Sequence, residues 1–250
     1  MTYLFAILAM IVFADVAAAE PATQCDAPDS LISTDADLPH AIKEIKANQR
    51  LDITVIGTGS SALSGPDGAS YAYPARLEAA LKELLPGYQF KVTAHVESRQ
   101  TTADMVTALK KVLGDDKPSL VIWQAGTSDA LSGIEPDDFR WSLDAGVEQI
   151  QASGADVILM NMQYSPRTEA MLDVSSYADV MHWVAEQRGA LLFDRFGIMH
   201  YWNDNGVFDL YTATKDYDMA RRVHECVARA LAAQIIGATH LDAVRVQRTP

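Results

Sequence analysis

The stretch Gly57-Thr58-Gly59-Ser60-Ser61 follows the apolar run LDITVI at 51–56 directly. Glycines let a chain turn sharply without a Cβ clash, and a serine on such a turn is held at the edge of a sheet, facing the crevice where ligands gather. Ser60 and Ser61 are therefore candidate nucleophiles. The alternative is a structural turn whose serines cap the segment that follows. A phosphate-binding loop does not fit, because the lysine of that motif is missing. A serine hydroxyl becomes nucleophilic only beside a general base. His224 is the best placed of the six histidines, at the start of the last helical pattern, and its spacing from Ala220, Val227 and Leu231 puts it on one helical face. Asp216 or Asp218 would then orient it; the competing reading of His224 is a packed histidine. His182 in DVMHWV and His200 in IMHYW read as packing residues among aromatics.

A second polar loop, Gly126-Thr127-Ser128-Asp129, follows SLVIWQA at 119–125. A hydroxyl and backbone N–H groups there could stabilise an oxyanion. An ordinary turn in which Asp129 accepts backbone hydrogen bonds is equally compatible. Were the crevice to bind rather than react, Arg99, Gln100, Trp123, Gln124, Tyr164, Arg167, Trp202 and Tyr211 are the strand-end residues suited to contact a ligand.

Strand-like and helix-like runs alternate behind these loops. LDITVI (51–56), QFKVTAHV (89–96), SLVIWQA (119–125), ADVILMN (155–161) and ALLF (190–193) read as strands. Helical patterns are expected at 38–48, 73–85, 102–113, 136–152, 169–187 and 218–236. The strands are continuous apolar runs rather than alternating ones, which predicts a parallel sheet with helices on both faces. The ligand loops are then 57–72, 97–101, 126–135, 162–168 and 203–217.

Residues 1–19 are almost entirely apolar from Tyr3 to Phe13 and end in Ala17-Ala18-Ala19. They read as a secretory signal peptide, too short to span a bilayer, and no later run approaches the roughly 18 apolar residues a membrane helix needs. An exposed lead-in over 20–36, a single domain over 37–238 and a tail over 239–250 follow. The net charge of −13 repels phosphate backbones and anionic lipid, which excludes nucleic acid as a partner. The only two cysteines are Cys25 and Cys226. In an exported chain they are expected to pair; a buried free Cys226 with a loose Cys25 is the alternative.

Taken together, the strand followed by GTGSS, then YPARLEAALKELLPG, SLVIWQAGTSDA, ADVILMNMQYSPR and HECVARALAAQI resemble the SGNH/GDSL hydrolase family over about residues 50–236. The resemblance implies a flavodoxin-like three-layer α/β/α sandwich, with a parallel sheet of about five strands. It also implies hydrolysis of an acyl or acetyl ester, perhaps of a glycan, with no metal and no cofactor. Carried over position by position, the family pattern meets departures in all four blocks. Gly57, Thr58 and Gly59 fill the Gly-x-Ser slots, so glycine stands where the nucleophile should be, and Ser60 and Ser61 come one and two residues late. Ser98, Arg99 and Gln100 stand where an oxyanion glycine should lie. Gly126, Thr127, Ser128 and Asp129 match Gly-x-Asn-Asp with serine for asparagine. Lys215 and Asp218 fill the Asp-x-x-His slots. The resemblance therefore implies either an esterase with a displaced serine and His224, or a non-catalytic descendant that binds a glycan, small molecule or partner.

Overall fold

The computed structural model describes residues 25–65, 67–212 and 217–241. Five strands form one sheet: β1 (Arg50–Gly57), β2 (Gln89–Val96), β3 (Leu120–Gln124), β4 (Asp156–Met160) and β5 (Leu191–Phe193). Their order is β2-β1-β3-β4-β5 and every pairing is parallel. β3 and β4 are buried at every position, so these runs could be apolar without alternation.

The helices are α1 (Asp29–Ile32), α2 (Pro39–Asn48), α3 (Gly68–Tyr71), α4 (Tyr73–Leu84), α5 (Thr102–Asp116), α6 (Thr127–Leu131), α7 (Pro136–Ala152), α8 (Pro166–Glu169), α9 (Ser175–Arg188), α10 (Arg195–Asp204) and α11 (Asp218–Thr239). Two buried clusters lie on opposite faces of the sheet. On one, Leu51, Ile53, Ile122 and Ile158 meet Leu77 and Leu81 of α4, Trp202 of α10 and Leu231 of α11. On the other, Ile56, Val121, Trp123 and Leu159 meet Leu109 of α5, Leu143 of α7 and Met181 of α9. The fold is thus the α/β sandwich expected. Its strand order reverses between β1 and β3, and the crevice opens at such a switch point.

Three elements differ from the sequence reading. Asp173 accepts hydrogen bonds from Ser175 N–H (3.2 Å), Ser175 Oγ (2.5 Å) and Ser176 Oγ (3.0 Å), a local turn that delays α9 to residue 175. Helix α10 occupies a stretch read as having no element of its own. The lead-in, expected to be exposed, contributes Cys25, Ala27, Leu31 and Ile32 to the margin of the core. Cys25 and Cys226 form a disulfide, and Asp26 C=O accepts the Trp202 indole N–H at 3.0 Å. The signal segment 1–19 and the end of the tail lie outside the described residues. None of the described helices is long and apolar enough to cross a membrane.

At the β2 edge of the sheet, Glu78 on α4 accepts the Val92 N–H at 2.8 Å and pairs with Lys82 at 2.5 Å. These contacts hold the Glu78 carboxyl below its ordinary pKa although burial opposes them.

Candidate functional site

After β1 the chain makes one 3-10 turn over Gly59–Ser61, closed by Ser61 N–H to Thr58 C=O (2.8 Å) and Ala62 N–H to Gly59 C=O (3.2 Å). The turn folds Ser61 back over the strand end. A Cβ on Gly57 would lie 2.3 Å from Ser61 Oγ, so only glycine fits there. Ser61 is buried, and its Oγ donates to Gln124 Oε1 at 3.1 Å. Its lone pair accepts from the Tyr73 phenol, also at 3.1 Å, because the one hydroxyl proton is already given away. Gln124 Oε1 further accepts the Thr58 N–H (3.0 Å) and hydroxyl (3.1 Å), while its Nε2 has no partner. An amide oxygen cannot take a proton as a base does. Ser61 is thus fixed as a hinge pin between β1, β3 and α4, and Ser60, just before it, is half-buried beneath the exposed Gly59.

His224 reaches the same neighbourhood from the second turn of α11. It is 7% exposed, and its Nδ1 accepts the Tyr73 backbone N–H at 2.9 Å. A backbone N–H can only donate, so the neutral ring carries its proton on Nε2. In a serine-histidine couple the ring works the other way round, with Nδ1–H donating to a carboxylate and Nε2 free to accept from the hydroxyl. Burial, and then the positive charge of Arg195, push the His224 pKa down to about 3, far from the neutral range that suits general-base catalysis. Its Nδ1 partner is thus an amide, not a carboxylate. Asp218 is exposed at the first turn of α11 and lies 3.8 Å from Arg221; Lys215 and Asp216 lie outside the described residues.

The cation beside His224 was not singled out from the sequence. Arg195 opens α10 immediately after β5, and Asp194 fixes it there. One carboxylate oxygen of Asp194 accepts the Gly197 N–H (2.9 Å) and the Asn161 side-chain amide (2.7 Å), and Asn161 in turn accepts the Phe196 N–H (2.8 Å). Thus anchored, the Arg195 side chain is fully buried. Its Nη2 donates to Ser60 C=O (3.1 Å) and Gln163 Oε1 (2.7 Å), and its Nη1 makes a long 3.5 Å contact with Ser60 Oγ. Its Nε has no partner. All three contacts are to neutral oxygens, and no described carboxylate pairs with it. Burial accordingly lowers its pKa to about 10, and the guanidinium lies 5.9 Å from the centre of the Tyr73 ring.

The other expected positions divide by role. Asp129 is buried and accepts both the N–H and the hydroxyl of Thr102, each at 2.9 Å. It clamps the start of α5 to the loop after β3, which is the turn-forming alternative. Gly126 has φ +95, and a Cβ there would lie 2.7 Å from Met162 Sδ. Ser128 is buried on α6. Arg99 is exposed with φ +68, a left-handed conformation usually left to glycine; in the family pattern that loop carries a glycine. Gly59 faces Ser98, whose Oγ would lie 3.2 Å from an added Cβ. Arg167 is exposed, 6.0 Å from the Tyr211 ring. Trp123 and Trp202 are wholly buried and pack the core rather than meet a ligand. His200 does lie among aromatics, its ring 4.7 Å from that of Tyr164, whereas His182 is an exposed neighbour of Glu186. The structure therefore brings Ser60, Ser61 and His224 to one strand-end cluster, joined through Tyr73 and Arg195, and leaves Arg99, Arg167 and Asp218 on its surface.

The family model described as the Non-GDSL lipase-like family matches residues 24–241, and the chain belongs to that family. It is related to the SGNH/GDSL-type esterases. Esterase TesA of Pseudomonas aeruginosa is 31% identical over 114 residues, 46% of this chain and 55% of that protein. An arylesterase of Vibrio mimicus is 28% identical over 106 residues, 40% of this chain and 53% of that protein. The chain spans about half the length of the curated relatives it matches. Among solved structures, that of TesA superposes with a TM-score of 0.56 at 24% identity, covering 73% of this chain and 94% of that one. A catalytic mutant of Axe2, an acetylxylan esterase from Geobacillus stearothermophilus, gives 0.61 at 18%, covering 74% and 94%. At these identities the likeness is one of fold.

Proposed function

We propose that this member of the Non-GDSL lipase-like family is an exported protein that binds a small molecule or glycan at the crevice of its esterase relatives, without a serine-histidine couple to hydrolyse it. One observation carries the reading: the Tyr73 N–H occupies His224 Nδ1, so the ring nitrogen that would have to accept a serine proton already holds one. The commitment of the Ser61 proton to Gln124 supports it. Ester hydrolysis from Ser60 is the second reading, favoured by the position of that half-buried hydroxyl next to a cation that would stabilise an alkoxide.

Purified mature protein incubated with p-nitrophenyl esters of increasing acyl length separates the two. Release no faster than in buffer, unchanged in Ser60→Ala, Ser61→Ala and His224→Ala, is the expected result. Turnover that disappears in Ser60→Ala establishes the second reading and ends the first.

A further inference from the structure

Burying a charge is expensive unless an opposite charge or a full set of hydrogen bonds compensates it. The half-buried arginines among the described residues follow that rule: Arg76 pairs with Glu225, Arg140 with Asp137, Arg188 with Asp144 and Glu148, Arg221 with Asp218, and Arg229 with Glu225 and Glu83. Arg195 is more deeply buried than any of these and has only the Ser60 carbonyl and hydroxyl oxygens and Gln163 Oε1. One positive charge therefore stands uncompensated beneath the exposed tip of the β1 turn. Its side chain is held there by the Asp194 and Asn161 network, so it cannot swing out to water without opening α10.

We propose that Arg195 and Ser60 form the recognition point for a small monocarboxylate, the acid half of an ester. This rests on the reading above, that the crevice binds without hydrolysing, and gives it a ligand class. The contact between Nη1 and Ser60 Oγ is stretched to 3.5 Å; a carboxylate oxygen arriving past the exposed Gly59 to the half-buried Ser60 hydroxyl would take a hydrogen bond from each and close the gap. A single guanidinium neutralises a single negative charge. The chain's own charge of −13 disfavours more highly charged anions such as phosphate. His224 stays neutral beside this cation, so it adds no second positive charge to the site.

Sodium acetate titrated at constant ionic strength against chloride and phosphate, with the melting temperature as readout, tests the assignment. Acetate should raise the melting temperature saturably, about tenfold less tightly in Ser60→Ala and not at all in Arg195→Met. The His224 ring signals, followed by NMR at neutral pH where acetate is ionised, should shift saturably with acetate and not with chloride, because the bound anion offsets the guanidinium beside the ring. This second readout needs only the wild-type chain and decides the matter if Arg195→Met does not fold. A response to chloride or phosphate equal to that for acetate, a response surviving in Arg195→Met, or no saturable response overturns the assignment. Absence of acetate binding without ester turnover ends this inference alone; Ser60-dependent turnover ends the non-hydrolytic reading and leaves carboxylate binding to be judged on its own data.

Discussion

At the scale of single residues, two adjacent serines have opposite jobs, and stability measurements should tell them apart. Ser61→Ala removes a donor to Gln124 and an acceptor for the Tyr73 phenol inside the fold, and should cost about 1–3 kcal/mol in urea unfolding. Ser60→Ala, at a half-buried position whose hydroxyl makes only the long 3.5 Å contact with Arg195, should stay within about 1 kcal/mol. His224 makes a pH prediction whose sign follows from its depressed pKa. Above its ordinary value of 6.5 the ring is neutral in both the folded and unfolded chains. As pH falls from 6.5 towards about 3 the unfolded chain takes a proton that the folded one refuses. Stability from this group is thus present above 6.5 and lost on acidification, at up to about 1.4 kcal/mol per pH unit. His224→Gln, which keeps an acceptor for the Tyr73 N–H, should flatten that part of the curve when unfolding free energies are compared across the range.

Among the elements, the Asp129 clamp is the joint most open to test. Asp129→Ala leaves the Thr102 N–H and hydroxyl unpaired and should cost about 1.5–3 kcal/mol. Hydrogen exchange should quicken first in the opening turn of α5. The strands were legible because a parallel sheet buried on both faces demands unbroken apolar runs, and β1 to β4 fall within a residue or so of those runs. Helix α10 was not, since it is short and Gly197 in its first turn breaks the helical pattern, although Asp194 before it is an ordinary N-cap signal. Missing that helix meant missing Arg195, whose role depends on β5 and β1 lying in one sheet. The rest of the site was half legible: spacing brought the serines and His224 to one edge, but which ring nitrogen faces which donor is a tertiary fact. Tyr73 supplies it by starting α4 directly beneath α11.

For the molecule as a whole, the Cys25–Cys226 bond ties the lead-in to the closing helix across 201 residues of sequence. Reduction should add two protons to the mass and, on the chain-entropy account, remove about 5 kcal/mol of stability, visible as a large fall in melting temperature. The sheet's first edge bears a different safeguard. The amide that Val92 turns away from its neighbour strand already belongs to the Glu78 carboxylate, so a strand from another molecule would have to evict an anion before it could pair there. Acidification that protonates Glu78 removes the charge guarding this one amide, and should favour edge-to-edge association, read as a rise in sedimentation coefficient as the pH falls.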